Sequence, residues 1–292
     1  MPLISTVTDS FTAGRRANAF SSTPPAAWDP TTSITTRFHV DASDTSSYSH
    51  SSGTLTSVTD KSGNFSITVG GNPTRLTNAL NGFNVWNFNG NYDLTTAGEG
   101  QVTDGSGNHW AIGVMQWNTI NDTQDSFWSV ENNTTSASSK RDYAVSSANS
   151  STFNGELDLD GLSSNRISST IGNAQDFDSP GAVPQNTWVI IGVIFNKTGI
   201  QISVRVDGTS LFTVNDYDNS INTNQDVRIM RNRANERLDG QVAEFFMVGA
   251  LPGTGGTDIS DVQKAEGYLA HKWGLTGNLP GGHPYKSSAP TG

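Results

Sequence analysis

The most apolar run in the chain is TWVIIGVIF, from Thr187 to Phe195. It is far short of the ~18 apolar residues that a membrane-spanning helix needs. Its composition suits a strand buried on both faces. The four residues NKTG follow, and then IQISVRVDG alternates apolar and polar side chains, as a strand with one covered face does. The two segments therefore read as a β-hairpin placed centrally in a core.

The rest of the chain has the same rhythm from Arg37 onward. The short segments RFHVDAS, FSITV, FNVWNF, HWAIGVMQW, SFWSVE and RDYAVS are bounded by the turn sequences DKSGN, GGNP, NGN and DGSGN. Such spacing predicts an all-β sandwich, and 292 residues are enough for one such domain with arms. Charged residues are only 15% of the chain, so Ser, Thr, Asn and Gly supply most of the polar surface. A net charge of -10 argues against nucleic acid as a partner. With no cysteine there is neither a disulfide framework nor a thiolate metal site. The first twenty residues lack the basic and apolar regions of a secretory signal, and no run is long enough for membrane insertion.

Three regions are expected. Residues 1–35 contain SSTPPAAWDPTTS, whose prolines resist both helix and central strand, and read as an extended arm that docks on a neighbouring subunit or lies across its own sandwich. Residues 36–276 form the sandwich, and 277–292 a tail. Within the main region, DISDVQKAEGYLAHKWGL predicts one amphipathic helix over 260–273. Ser260 and Gln263 have the spacing of a capping box, Val262, Ala265, Leu269 and Trp273 form the apolar face, and Gly274 closes the helix.

Two acidic segments carry candidate chemistry. In NGELDLDG, a strand would place Glu156, Asp158 and Asp160 on one face and Leu157 and Leu159 on the other. Those carboxylates are either the solvated side of an ordinary strand, a cation site suited to calcium, or a hydrolytic site. In NDYDN, Asp216 and Asp218 flank Tyr217 in a loop that either binds calcium, meets sugar hydroxyls with Tyr217 as a stacking surface, or is a polar loop with no ligand. The five histidines lack metal-site spacing, GTGGTD lacks the lysine of a phosphate loop, and Trp110, Trp117, Trp128 and Trp188 fall in strand-like segments expected in the core. The face of Trp86 is left open.

FHVDASD, VTDKSGNFSITV, NGFNVWNFNGNYDL, the hairpin ending in VDG, LDGQVAEFFMV and AEGYLAHKWGLTGNLPGGHPY occur in that order over residues 36–285. Together they resemble the laminin-G-like branch of the concanavalin A-like lectin/glucanase superfamily. The resemblance implies a jelly roll of two curved antiparallel sheets with one C-terminal helix. Similar sequences ending in this way belong to bacterial surface proteins and bacteriophage virion proteins. Val58 and Thr59 stand where many relatives have a tryptophan, which implies local repacking. In the glucanase branch a strand of the form Glu-x-Asp-x-Glu is catalytic, and ELDLD resembles it until Asp160 replaces the last glutamate. Strand positions i and i+4 are ~13 Å apart, and a retaining site needs its carboxyls ~5–5.5 Å apart. No catalytic residue is therefore expected.

The composition of a surface protein combined with no export signal, anchor or cysteine leads to an expectation of a non-enzymatic bacteriophage virion protein, made in the host cytoplasm. It would decorate the capsid or belong to the tail or fibre. Its expected partners are other virion proteins, further copies of itself and a host-surface glycan, with calcium as the one ion to consider. The alternatives are a glycan-binding adhesin or lectin module and a glucanase-like hydrolase.

Overall fold

The computed structural model describes residues 26–96, 108–119, 126–132, 141–147, 157–160, 183–196, 201–215, 225–231, 237–249 and 259–292. In chain order the strands are β1 (Thr36–Asp41), β2 (Tyr48–Ser51), β3 (Thr54–Val58), β4 (Ile67–Gly70), β5 (Thr74–Leu80), β6 (Phe83–Asn89), β7 (Asp93–Thr96) and β8 (His109–Thr119). They continue with β9 (Ser126–Asn132), β10 (Arg141–Ser147), β11 (Leu157–Asp160), β12 (Val189–Asn196), β13 (Gln201–Val206), β14 (Thr209–Asn215), β15 (Gln225–Ile229) and β16 (Asp239–Val248). One helix, α1 (Ser260–Trp273), follows.

The strands form the expected all-β sandwich. A ten-stranded sheet runs β14-β13-β12-β8-β16-β6-β5-β3-β2, with β1 as the tenth strand paired to β16 off this path, and a six-stranded sheet runs β11-β10-β9-β15-β7-β4. All pairings between strands are antiparallel. Strand β16 pairs with β8 along its length, and its other edge is shared between β6, opposite Asp239–Val242, and β1, opposite Glu244–Val248.

Side-chain alternation then sorts the apolar residues into two cores. On β8, Ala111, Met115 and Trp117 point between the sheets, whereas Trp110, Ile112 and Val114 point to the opposite face, beneath α1. The same split on β12 sends Val189, Ile191, Val193 and Phe195 inward and Ile190 and Ile194 toward the helix. TWVIIGVIF is continuously apolar because both faces of its sheet are covered. Each such fully buried side chain contributes about 1.5–3 kcal/mol of transfer free energy. Trp86, Trp110, Trp117 and Trp128 are all buried, while Trp188 packs half-buried at the margin of the outer core. Val58, at the position where a tryptophan was missing, is buried between the sheets.

Helix α1 has the expected span and buries Val262, Ala265, Leu269 and Trp273. Its beginning corrects the sequence reading. The cap is Ile259, which makes no side-chain cap hydrogen bond, and Gln263 N–H reaches Ile259 O at 2.9 Å. Ser260 is therefore inside the first turn and does not cap it. Ile259 packs on the outer core, and this apolar contact fixes where the chain enters the helix. At the other end Gly274 takes φ 74° and both its N–H and that of Leu275 bond to Ala270 O, as a left-handed C-terminal stop requires.

The start of the described region meets the C-terminal tail. Ala27 forms a bridge with Thr291, Trp28 N–H donates to Pro290 O at 3.1 Å, and the Trp28 ring is buried against Phe246 and Tyr268. Further along the tail, His283 joins a buried cluster. Arg205 donates to both carboxylate oxygens of Glu266, at 2.7 and 3.1 Å, and His283 Nε2 lies 3.0 Å from Glu266 Oε2. This cluster ties β13, α1 and the tail together. A carboxylate on the buried side of a helix is tolerable because it is paired and hydrogen-bonded.

Candidate functional site

Side chains of the six-stranded sheet alternate between the inter-sheet core and its outer face. Leu94, Trp128, Val130, Val227 and Ile229 enter the inter-sheet core, so their neighbours in sequence on β7 and β15 face away from it. There, Thr68, Gly70, Gly71, Asp93, Thr95, Thr96, Asp226, Arg228, Arg231 and Arg237 line an open cleft of about 390 Å³. That volume falls in the range of small-ligand sites.

Asp93 is the organising residue of the cleft. Arg237 Nε lies 3.0 Å from Oδ1, Arg231 Nη1 lies 3.2 Å from Oδ2, and Thr95 Oγ1 donates to Oδ2 at 2.8 Å. Burial alone would raise the Asp93 carboxyl, but the Thr95 hydrogen bond and the two guanidinium groups outweigh it and hold the pKa below the ordinary value. A bridge between Arg231 and Arg237 brings the two arginines alongside each other. Deeper in, Arg228 Nη2 donates to Asp226 Oδ2 at 2.8 Å. The close approach of β4 depends on glycine. A Cβ on Gly70 would stand 2.5 Å from Asp93 Oδ1, and one on Gly71 would strike the Tyr92 ring.

A second polar cluster lies under the helix, where β1, β16 and α1 meet. Glu244 accepts from His39 Nε2 at 3.0 Å, Tyr268 OH at 3.1 Å, Lys272 Nζ at 2.7 Å and Trp273 Nε1 at 2.9 Å. Asp41 accepts from Lys61 Nζ at 3.1 Å and Lys272 Nζ at 2.9 Å, and from the backbone and hydroxyl of Ser43. Burial would raise the Asp41 carboxyl, but Lys272, Ser43 and Lys61 bring it down to about 2. Ligand atoms of His39, Asp41 and Glu244 lie within 4.8 Å of one another, a spacing that would suit a metal ion. The positive charges beside these oxygens are the ammonium groups of Lys272 and Lys61. This cluster holds the helix to the sheet.

The residues singled out from the sequence fall differently. Asp216, Tyr217, Asp218 and Glu156 lie outside the described residues. Strand β11 contains Asp158 and Asp160, and its backbone register connects it to the cleft. A single row of paired residues crosses the sheet as Asp160, Ala144, Ser129, Arg228, Thr95 and Thr68. The cleft arginines were not recognised in advance. Their signal is VRIMRNRANER, residues 227–237, with four arginines in an otherwise acidic chain. The net charge of the whole chain conceals this local excess.

No family model matches the chain, and no curated protein matches it. Among solved structures, the binding domain of botulinum neurotoxin DC in complex with SialylT superposes with a TM-score of 0.53 at 11% identity, over 80% of this chain and 51% of that one. The same binding domain in complex with rat synaptotagmin II gives a TM-score of 0.53 at 12% identity, over 80% and 52%. Domain 4 of a GH43 extracellular arabinanase from Geobacillus stearothermophilus, in complex with arabinotriose, gives 0.45 at 12% identity, over 73% and 91%. The likeness is one of fold. The present chain spans about half the length of the toxin chains it matches.

Proposed function

We propose that this protein is a non-enzymatic glycan-binding β-sandwich whose site is the cleft on the outer face of the six-stranded sheet. The observation that carries this reading is a cleft of about 390 Å³, lined by guanidinium groups, threonine hydroxyls and glycine backbone. Arginine, hydroxyl and carboxylate groups are the donors and acceptors that match sugar hydroxyls. The shared fold with a toxin binding domain seen in complex with SialylT supports the reading. Catalysis is disfavoured by the state of the carboxylates. A glycosidase needs an acid that keeps its proton near neutrality, and Asp93 is shifted the opposite way, while Asp226 is ion-paired to Arg228.

Tyr217, with Asp216 and Asp218, belongs to this proposal as a stacking contact, since those residues shortly precede β15, which contributes Asp226 and Arg228 to the cleft. A calcium ion held by Glu156, Asp158 and Asp160 is a further part of it. A bacteriophage virion, with host glycans as targets and self-association of the chain, is the setting proposed on the sequence grounds given above. A glycan array probed with the full chain and with Thr68→Trp tests the site. Thr68 is an exposed lining residue, so the tryptophan should fill the cleft and abolish binding without unfolding the protein. Glycan binding that survives this change would move the site elsewhere, and release of reducing sugar by the purified protein would overturn the non-enzymatic reading.

A further inference from the structure

The balance of charge within the cleft carries a second step, which rests on the reading just given. Three guanidinium groups, of Arg228, Arg231 and Arg237, face two carboxylates, of Asp93 and Asp226. Both carboxylates are already engaged, Asp226 by Arg228 and Asp93 by Arg231 and Arg237. Among the described lining residues guanidinium groups thus outnumber carboxylates by one, in a protein whose net charge is -10. Distant surface charge is screened over about 8 Å at physiological salt, so a bound group senses mainly the nearby arginines.

Arg237 is the residue poised for a ligand. It holds Asp93 through Nε, and its side chain is 26% exposed. Among the described residues the two terminal nitrogens of this guanidinium have no hydrogen-bond partner and form a planar pair of donors, the arrangement that pairs with a carboxylate through two parallel hydrogen bonds. Asp93 fixes the orientation of this fork from behind, which limits the side-chain entropy lost on binding. Nearby, the Thr68 side chain on β4 is exposed and can meet hydroxyls. We infer that the cleft binds an acidic sugar, a residue bearing a carboxylate that docks on Arg237, with ring hydroxyls on the threonine side, in preference to a neutral sugar.

The test uses the full chain and matched ligands. Uronic-acid oligosaccharides, the same oligosaccharides after chemical reduction of the carboxyl to a hydroxymethyl group, and sulfated oligosaccharides are titrated calorimetrically at low and physiological salt. The acidic form should bind tenfold or more tightly than its reduced counterpart, and its affinity should fall as salt is added. Arg237→Gln should remove that preference. Because this change also takes a partner from Asp93, Arg237→Lys serves as the second variant. It keeps the charge but loses the fork, and should weaken carboxylate binding about tenfold while the melting temperature stays near that of the original protein. Equal affinity for the acidic and reduced forms, both abolished by Thr68→Trp, would overturn the acidic specificity and keep the cleft as the glycan site. A preference for sulfated over carboxylated forms would also overturn it. Absence of binding to every form would overturn the glycan-binding reading together with this one.

Discussion

The Lys272 ammonium lies 2.7 Å from Glu244 Oε2, at a point where the helix crosses the junction of β1 and β16. Glu244 is wholly buried and Asp41 nearly so, and Lys272 bridges the two. Burial by itself would lower the lysine pKa, but the charges of Glu244 and Asp41 outweigh it and raise it. Lys272→Met would leave both carboxylates without their shared cation. Removing one partner of a buried pair typically costs about 3–5 kcal/mol, and urea denaturation should show a loss of that order. Adding Asp41→Asn to the variant should recover part of it. A loss below about 1 kcal/mol would mean that the network contributes little to the helix docking.

Asp207, in the turn between β13 and β14, titrates in an unusual range. Burial is the main reason that its pKa rises to about 6, and the nearby Glu266 adds to it, against hydrogen bonds from Ile190 N–H and Asn278. The folded protein thus holds this proton more tightly than the unfolded chain, whose value is 3.8. Stability must then rise as pH falls from above 6 toward 4, by at most about 3 kcal/mol, reduced by the partial exposure of the group. Asp207→Asn keeps an acceptor for Ile190 N–H and tolerates the left-handed φ of 48°. Unfolding free energies measured at pH 7 and pH 4.5 should show the original protein gaining on the variant at the lower pH. Parallel behaviour of the two would refute the assignment.

Gly267 gives a helix substitution with the opposite sign to the usual one. Glycine to alanine inside a helix ordinarily stabilises by about 1 kcal/mol. Here a Cβ would fall 2.9 Å from Tyr285 Cγ and closer still to its Cβ. Tyr285 cannot easily retreat, because its carbonyl meets His271 Nε2 at 2.9 Å and neighbouring His283 is held by Glu266. Gly267→Ala should therefore destabilise by about 1–3 kcal/mol and loosen the tail. Faster carboxypeptidase trimming of the last ten residues would register the loosening, and a raised melting temperature would contradict it.

These cases also separate what was legible in the sequence from what was not. Strand alternation, turn residues and the apolar helix face are local patterns, so the sandwich, the β12–β13 hairpin and α1 could be read directly. The site depends on contacts that no local pattern encodes. Asp93 meets Arg231 and Arg237 across more than 130 residues of chain, and His39 meets Glu244 across 205. Glu266 looks like a surface residue of the helix until Arg205 and His283 arrive from elsewhere to neutralise it. The Ser260 capping box failed for a related reason, since packing of Ile259 on the outer core outweighed a local hydrogen-bond preference. The arginine-rich segment 227–237 was a usable clue, but the number of acidic residues elsewhere masked it.

The last prediction joins the close packing of the cleft to its binding role. Gly70 lies on β4 opposite Asp93 on β7, and a Cβ there would come within 2.5 Å of Oδ1 and 2.8 Å of Cγ. Asp93 has no room to yield, because Arg237, Arg231 and Thr95 all fix its carboxylate. Gly70→Ala must therefore either part β4 from β7 or rotate Asp93 away from its arginines. The strain should cost about 1–3 kcal/mol, well within what a sandwich of this size tolerates. Binding should suffer more than stability does, since Asp93 is what orients Arg237 toward the cleft. Calorimetric titration with the acidic oligosaccharide should show affinity reduced about tenfold in a protein whose circular-dichroism spectrum is unchanged. If Gly70→Ala bound the oligosaccharide with unaltered affinity, Asp93 would not be the residue that positions the binding arginine.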